Sequence, residues 1–323
     1  KIWAKKLSKK YSIPCAKSTQ HSNLESSLEF FKKNKPSEWV IKVNGIAAGK
    51  GVFLPESYED ASEALNEIFV ENKFGESGEE LLIEERLYGV EVSVFAFVNN
   101  NNVSNCIPAC DYKRAFDGDI GPNTGGMGAI SPPSFWNTDI ENEINKNIIT
   151  PTAEAMINEG CPYTGILFAG LIITNEGIKV LEFNCRFGDP ETQVFIPRIK
   201  SDLLEILLKF SKPELNEDVY IELEQIYSTG VVLASKGYPG KYLSGKEIVA
   251  LPDLNQEFKS IVFHAGTKSN NLSKIYTDGG RVLICVGLGK DFKESKELAY
   301  KSARAIKFEG KHYRKDIGEN RDI

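Results

Sequence analysis

The sequence has no excess of positive charge and no long apolar run. It contains 39 Lys and Arg residues against 45 Asp and Glu residues, so its formal net charge is -6. Proteins that bind a nucleic-acid backbone need a basic stripe, and this balance argues against that class. No stretch approaches the roughly 20 apolar residues of a membrane helix, and residues 1–5 lack the apolar core of a signal peptide. We therefore expect a cytoplasmic protein with no nucleic-acid or membrane partner.

Closely spaced cysteines and histidines are also scarce. The six cysteines are scattered, only Cys106 and Cys110 lie near each other, and the three histidines are far from that pair. Because a zinc site needs clustered ligands, reduced and mostly buried thiols are expected instead. The remaining composition, 41% hydrophobic and 26% charged over 323 residues, is that of an ordinary globular chain with two or three domains.

Residues 181–191, with the sequence LEFNCRFGDPE, concentrate polar groups that suit a phosphate-bearing ligand. Residues 178–184 predict a strand, so its alternate residues Val180, Glu182 and Asn184 are expected to share one face. A carboxylate and an amide oxygen without His or Cys suit Mg²⁺. Arg186, a bidentate partner for phosphate, follows as the strand ends. The alternative is a sheet strand with one solvated face.

A lysine and a glycine-rich loop form the second candidate feature. Lys42 interrupts an apolar strand at residues 39–43, and the loop NGIAAGKG follows at 44–51. This loop differs from a Walker A loop, because three residues rather than four separate Gly45 from Gly49 and an apolar strand follows. With a Walker A loop excluded, the pattern predicts a hairpin that folds over phosphates, since glycines let the backbone approach phosphate groups closely. A snorkelling lysine beside an ordinary turn is the alternative.

Two further stretches could contact a nucleotide and an acceptor. Strands at 81–87 and 90–98 are joined by a short connection that could offer adenine backbone groups at 85–87, with Glu91 near ribose. A salt-bridged surface hairpin is the alternative there. Residues 111–128 predict a long loop with three glycines in four residues, preceded by Lys113. Such a loop suits an anionic substrate, although a flexible surface loop is equally consistent.

The remaining pattern indicates an α+β fold. Apolar periodicity predicts helices at 2–11, 24–35, 58–72, 203–210 and 294–306, and a helix at 139–159 that Pro151 should break or kink. A hairpin is predicted at 165–184, and further strands at 227–234, 261–265 and 282–286. We expect a first domain at 1–218, with a nucleotide-clamping subdomain at about 14–88, and a smaller domain at 219–323.

Together these features resemble the ATP-grasp fold. The runs 40–51, 121–128 and 182–191 are similar, more narrowly, to the glycinamide ribonucleotide synthetase family, also called phosphoribosylamine–glycine ligases. The resemblance extends from residue 1 to 317 and includes HAGT at 264–267 and RKDIG at 314–318. It implies an ATP-grasp fold with a smaller C-terminal α/β capping domain. It also implies an N-terminal α/β domain ahead of Lys1, so we expect this chain to be a fragment or its front part to be left out of the given sequence.

The resemblance implies an ATP-dependent ligase of purine synthesis. Glycine's carboxylate would attack the γ-phosphate of ATP, and the amine of 5-phosphoribosylamine would then displace phosphate from glycyl phosphate. The implied cofactors are ATP and Mg²⁺, or Mn²⁺. Such phosphoryl transfer needs mainly positioning and charge neutralisation. Two alternatives stay open. Another ATP-grasp ligase should lack the 122–128 loop in this form, and a non-catalytic nucleotide-binding module has no reason to hold Glu182, Asn184 and Arg186 together.

The same resemblance assigns roles to individual residues. The implied ligands of the ATP phosphates are Lys1, Lys42, Gly45, Gly49, Lys50 and Gly51, and those of adenosine are Glu84, Glu85, Leu87 and Glu91. The implied metal ligands are Glu182 and Asn184, and the implied catalytic residues at the transferring phosphate are Arg186 and Asp189. The residues implied to face the amine substrate are Asp111, Lys113, Pro122, Asn123, Thr124, Gly125, Gly126, Met127 and Gly128.

Overall fold

The computed structural model describes residues 1–45, 47, 51–213, 215, 219–249, 260–270 and 274–319. Helices and mostly antiparallel strands alternate along the chain, which confirms the predicted α+β class. The strands form two larger sheets and two short two-stranded hairpins. Within the described ranges, no helix is both long enough and apolar enough to cross a membrane.

The smaller of the two sheets has four antiparallel strands and lies near the start of the chain. Its strands are β1 (Ser18–His21), β2 (Trp39–Val43), β3 (Val52–Phe53) and β4 (Leu81–Glu85), in the order β1-β4-β2-β3. The helices before and between them are α1 (Ile2–Lys10), α2 (Leu24–Lys33) and α3 (Tyr58–Phe69). Phe31, Ile41 and Leu65 bury the apolar faces of α2 and α3 against this sheet. The predicted hairpin after Lys42 is present, because β2 pairs with β3.

Side-chain caps explain where these helices begin. Asn23 accepts a hydrogen bond from the amide of Ser26 at the start of α2. Ser57 and Asp60 form a reciprocal capping box at the start of α3. The helix predicted at 139–159 is divided, as Pro151 suggested. Helix α4 (Thr138–Ile144) continues through a π-helical turn at Asn145–Ile149 into α5 (Thr150–Asn158). Proline has no amide to donate, which favours such a local change of helical pattern.

The larger sheet has ten strands and continues through the rest of the chain. Its strands are β5 (Val90–Asn99), β6 (Asn102–Val103), β7 (Ile107–Asp111), β10 (Gly128–Ser131), β11 (Thr164–Thr174), β12 (Gly177–Asn184), β13 (Tyr227–Ser235), β14 (Ser260–His264), β17 (Arg281–Gly289) and β18 (Lys311–His312). Their order is β12-β11-β5-β7-β10-β13-β17-β14, with β6 paired to β5 and β18 paired to β13. The helices that accompany it are α6 (Glu191–Phe195), α7 (Leu203–Phe210) and α8 (Phe292–Ala305).

Alternate residues of this sheet enter two separate cores. On one face, Val94 belongs to a cluster that includes Ala299 of α8. On the other face, Phe95 packs with Phe168 and with Phe195 of α6. The sheet also crosses the predicted domain boundary, because β10 pairs with β13 along four residues. A division at residues 218 and 219 stays a proposal, and it would separate two strands that are hydrogen-bonded in one sheet.

The long loop predicted at 111–128 is an ordered hairpin. Strands β8 (Arg114–Phe116) and β9 (Ile120–Asn123) pair with each other, and β15 (Thr267–Ser269) pairs with β16 (Ile275–Thr277) elsewhere. Arg314, which is 1% exposed, donates to the carboxylates of Asp119 at 2.7 Å and Asp316 at 2.7 Å. These bonds tie the hairpin to the end of the chain's described part. The flexible loop considered from the sequence is therefore not observed.

Candidate active site

A bulge in β12 decides which side chains reach the site. Glu182 pairs with Gly170, whereas Val180 pairs with the next residue of β11, so Leu181 is the extra residue. Paired residues face the same side of a sheet and successive residues face opposite sides. Val180, which is 3% exposed, consequently belongs to a core cluster on the opposite face from Glu182 and Asn184, although all three residues line the cleft. The expectation that Val180 shares the face of Glu182 and Asn184 is wrong, because a bulge shifts the alternation by one residue.

Glu182 and Asn184 meet side by side on this face. The Nδ2 atom of Asn184 donates to Oε1 of Glu182 at 3.3 Å. Turning the amide would place its oxygen beside the carboxylate instead, giving the two oxygen donors that a hard cation prefers. Within the described ranges, no three His, Cys, Asp or Glu residues cluster as a metal site. The pair therefore fits a cation whose other ligands are phosphate oxygens and water.

A buried glutamate holds two lysines at the back of the cleft. Glu84, which is 3% exposed, accepts a hydrogen bond from Nζ of Lys42 at 2.9 Å and lies 3.3 Å from Nζ of Lys5. Lys42 also donates to the carbonyl of Leu181 at 3.2 Å, which the bulge directs toward it. Sequence reasoning missed Lys5. The pattern that could have indicated it is a lysine three residues after Ile2, which places its charge on the buried face of α1.

The cleft has a volume of about 780 Å³ and gathers most of the residues expected to hold ATP phosphates and metal. Its lining includes Lys1, Lys42, Gly45, Gly51, Glu84, Glu182, Asn184 and Arg186. The Nζ atom of Lys1 donates to the carbonyl of Gly45 at 2.7 Å, and burial lowers the pKa of this side-chain amine. Two residues of the expected phosphate loop, Gly49 and Lys50, lie outside the described residues.

The residues expected to contact adenosine lie where β4 passes into β5. The amide of Glu85 donates to the carbonyl of Lys17 at 2.9 Å, and Leu87 lies in the connection between the two strands. The carboxylate of Glu91 accepts a hydrogen bond from Lys113 at 2.5 Å. The carboxylate of Glu84 contacts Lys42 and Lys5. Roles for these four residues at adenosine stay predictions.

Lys113 stands between two carboxylates at the acceptor side of the site. Its Nζ atom contacts Glu91 at 2.5 Å and lies 3.7 Å from Asp111. Loss of hydration disfavours the cation, but the charges of Asp111 and Glu91 outweigh this and raise the pKa of Lys113. Lys113 therefore keeps its charge at neutral pH. Asp111 and Lys113 thus lie together, and their contact with the amine substrate stays a prediction.

Glu191 is a buried carboxyl that the sequence-based site did not include. It is 4% exposed and accepts a hydrogen bond from the hydroxyl of Ser93 at 3.1 Å. Burial, together with the nearby charge of Asp111, raises the pKa of Glu191 to about 7. Its signal in the sequence was weak, because the first residue of a helix is commonly acidic for structural reasons.

The raised pKa makes stability depend on pH. Since folding favours protonated Glu191, its stabilising effect is complete below its unfolded pKa of about 4.3 and is lost as pH rises through about 7. We expect Glu191→Gln to become more stable relative to the unchanged chain between pH 5 and pH 8, by about 1–3 kcal/mol. Urea unfolding at both pH values measures this. The exposed Glu63→Gln should show no such change, and equal behaviour of the two variants would contradict the assignment.

The glycine-rich segment is held by one hydrogen bond of its own and by several to other parts of the protein. The amide of Gly126 donates to Oγ1 of Thr124 at 3.0 Å, and the amide of Gly125 donates to the hydroxyl of Tyr238 at 2.9 Å. Met127 is completely buried and its amide donates to the carbonyl of Tyr112 at 2.7 Å. Pro122 and Asn123 lie on exposed β9, and Gly128 begins β10. The amides of Gly125, Gly126 and Met127 are thus engaged within the protein, and a role for this segment at an anionic substrate stays a prediction.

Arg186 and Asp189 occupy different surroundings. Arg186 lines the cleft, with its guanidinium over the ring of Phe168 at 5.8 Å. Asp189 accepts a hydrogen bond from Arg281 at 2.8 Å and another from Gln193 at 3.0 Å. No role at the site was predicted for Arg281 from the sequence. His264 is exposed, and its Nδ1 atom lies 2.9 Å from Oγ1 of Thr267.

Two antiparallel sheets, with lysines and a carboxylate–amide pair facing one cleft, define an ATP-grasp protein. The model of the phosphoribosylglycinamide synthetase ATP-grasp (A) domain matches residues 1–192, and the model of the C domain of the same synthetase matches residues 228–320. The chain belongs to the phosphoribosylglycinamide synthetase family. The predicted family and the predicted ATP-grasp fold are thereby confirmed.

Relatives with assigned names agree with this family. The chain is 43% identical over 320 residues to a phosphoribosylamine–glycine ligase of Caldanaerobacter subterraneus, covering 98% of this chain and 75% of that protein. It is also 43% identical to the human trifunctional purine biosynthetic protein adenosine-3, covering 98% of this chain but 31% of that protein. A crystal structure of phosphoribosylamine–glycine ligase from Thermotoga maritima is similar with a TM-score of 0.85 and 34% identity, covering 98% and 78% of the two chains.

Proposed function

We propose that this chain ligates glycine to 5-phosphoribosylamine with ATP, forming glycinamide ribonucleotide, ADP and phosphate in purine biosynthesis. The observation that carries the proposal is one cleft that holds Lys42 on Glu84, Glu182 beside Asn184, and Arg186. The activity expected from the sequence is supported by the ligase names of the relatives. A cytoplasmic location stays a prediction.

The residues of the cleft suit phosphoryl transfer. Lys42 and Lys1 bring positive charge to the space where phosphates would lie, and Glu84 keeps Lys42 in one orientation. Arg186 is able to bind a phosphoryl group bidentately because its guanidinium presents a planar pair of donors. Glu182 and Asn184 would hold Mg²⁺, or Mn²⁺, which neutralises phosphate charge when bound. Glycine's carboxylate would then take the γ-phosphoryl group and become glycyl phosphate.

The second step needs an amine held against glycyl phosphate. Asp111 and Lys113 are proposed to face 5-phosphoribosylamine, whose amine carries hydrogen-bond donors and whose phosphate is anionic. Asp111 offers the amine an acceptor, while charged Lys113 offers the phosphate a partner. Attack of the amine on the glycyl carbonyl forms the amide bond and expels inorganic phosphate. Holding both reactants in one site supplies much of the rate by orientation.

Release of ADP with each substrate omitted in turn tests the function. The unchanged chain is expected to release ADP from Mg-ATP only when glycine and phosphoribosylamine are both present. β-Alanine in place of glycine serves as the control, since it moves the carboxylate one carbon away from the amine. ADP that accumulates with another carboxylate and nucleophile instead would indicate a different ATP-grasp ligase. Nucleotide binding without turnover in folded protein would indicate a nucleotide-binding module.

A further inference from the structure

Arg281 joins three segments that the sequence places far apart. It lies at the start of β17, and its Nη1 atom donates to the carbonyls of Gly125 at 2.7 Å and Asp189 at 2.8 Å. Its Nη2 atom donates to the carboxylate of Asp189 at 2.8 Å. One guanidinium therefore connects the C-terminal part of the chain to the glycine-rich segment and to the turn after β12.

The glycine-rich segment is shaped to receive this side chain. A Cβ atom on Gly125 would lie 3.0 Å from Cζ of Arg281, so a larger residue would press on the guanidinium. Gly126 has a φ of +113°, and a Cβ atom there would lie 2.3 Å from Cδ of Pro190. Only glycine fits this second position without strain. The segment thus lies directly on Arg281 and on the turn that contains Asp189.

Tyr238 makes a second, independent bond from the C-terminal part to the same segment. Its hydroxyl accepts the amide of Gly125 at 2.9 Å, while Arg281 holds the carbonyl of that residue. A Cβ atom on Gly280, the residue before Arg281, would lie 2.2 Å from the ring of Tyr238. Gly125 is consequently held at its amide by Tyr238 and at its carbonyl by Arg281, and the ring of Tyr238 packs against the residue that precedes Arg281.

Because the Arg281–Asp189 pair is partly exposed, its bonds contribute more to the relative orientation of the segments than to the free energy of unfolding. The side chain of Asp189 is 50% exposed and that of Arg281 is 19% exposed. Ion pairs open to water contribute little to the free energy of unfolding. Three bonds from one rigid fork nevertheless fix the mutual orientation of the segments that accept them.

We propose that Arg281 is a positioning residue that aligns the glycine-rich segment at Gly125 with the turn at Asp189. This inference rests on the proposed function together with two roles implied by the family resemblance, in which the glycine-rich segment faces 5-phosphoribosylamine and Asp189 lies at the transferring phosphate. Tyr238 supports the same alignment through one hydrogen bond. In this proposal Arg281 acts through the backbone of Gly125 and through Asp189, and Tyr238 acts through the backbone of Gly125.

Steady-state kinetics of Arg281→Ala, Arg281→Lys and Tyr238→Phe test this inference. For Arg281→Ala we expect KM for phosphoribosylamine to rise about 10- to 100-fold, because a small displacement of a positioned group weakens binding that strongly. KM for ATP should change less than about threefold, because the cleft at Lys42 is held by other residues. Arg281→Lys should recover part of the loss and Tyr238→Phe should produce a smaller rise. Lys268→Ala, which breaks only an exposed pair with Asp278, is the matched control.

The outcomes separate this inference from the proposed function. An unchanged KM for the amine, or equal rises for the amine and ATP, would overturn the positioning role while the ligase assignment stands. A folded, unchanged chain that releases no ADP with both substrates would overturn both. Thermal melts of each variant accompany the kinetics, and loss of amine affinity with an unchanged melting temperature is the result expected for a positioning residue.

Discussion

Replacing Glu182 with alanine is expected to lower kcat for ADP formation by about 1,000-fold, equivalent to about 4 kcal/mol of barrier. The change removes one of the two oxygen donors proposed to hold the cation, and it removes no core volume because the side chain is exposed. The free energy of unfolding should therefore change by less than about 0.5 kcal/mol. The ADP release assay and urea unfolding, performed on the same preparation, measure the two effects.

Glu176→Ala is the matched control for that substitution. Glu176 lies in the turn of the same hairpin, and its pair with Lys179 at 2.6 Å is exposed on the glutamate side. Its loss should leave kcat unchanged within about twofold. Glu182→Asp, tested over a range of Mg²⁺ concentrations, should retain some activity but require more metal. Normal turnover by Glu182→Ala would remove the metal assignment from this residue.

Replacing Glu84 with alanine is expected to destabilise the fold by about 3–5 kcal/mol, because it leaves two lysines without their shared partner in a nearly dry site. Lys42 and Lys5 are 13% and 9% exposed, so neither ammonium group recovers full hydration after the change. Lys42 should also lose its fixed orientation, which weakens the binding of ATP. Urea unfolding gives the first effect, and titration with Mg-ATP gives the second.

Glu38→Ala provides the comparison for Glu84→Ala, since the exposed pair of Glu38 with Lys35 spans 3.9 Å. That variant should lose less than about 0.5 kcal/mol. Glu84→Gln keeps the volume and one acceptor, and it should fall between the two. A loss below about 1 kcal/mol for Glu84→Ala would mean that water or another carboxylate reaches the lysines, and the buried charge network would then be a minor contributor to stability.

Local patterns in the sequence predicted the parts of the site that depend on near neighbours. Periodicity placed the predicted helices to within a few residues but did not predict α6, and alternation correctly put Glu182 and Asn184 on one face. The motif around Arg186 also indicated the cleft that it lines. These features follow from backbone period and residue chemistry alone.

The features that were missed depend on partners distant in sequence. A bulge at Leu181 moved Val180 to the other face, and a register shift leaves no reliable mark in the alternation. Lys5 and Arg281 gain their roles only when the fold brings Glu84 and Asp189 to them. The 111–128 segment looked structureless because its order comes from Arg314, which follows it by almost two hundred residues.

The pairing of β10 with β13 has a consequence for any attempt to divide the chain. Cutting between residues 218 and 219 would turn both strands into edge strands, each with a row of unpaired backbone donors and acceptors. Such edges attract other strands, so the separated pieces would tend to associate with each other or with further copies. The two parts that the family models match separately are, in this sense, halves of one hydrogen-bonded structure.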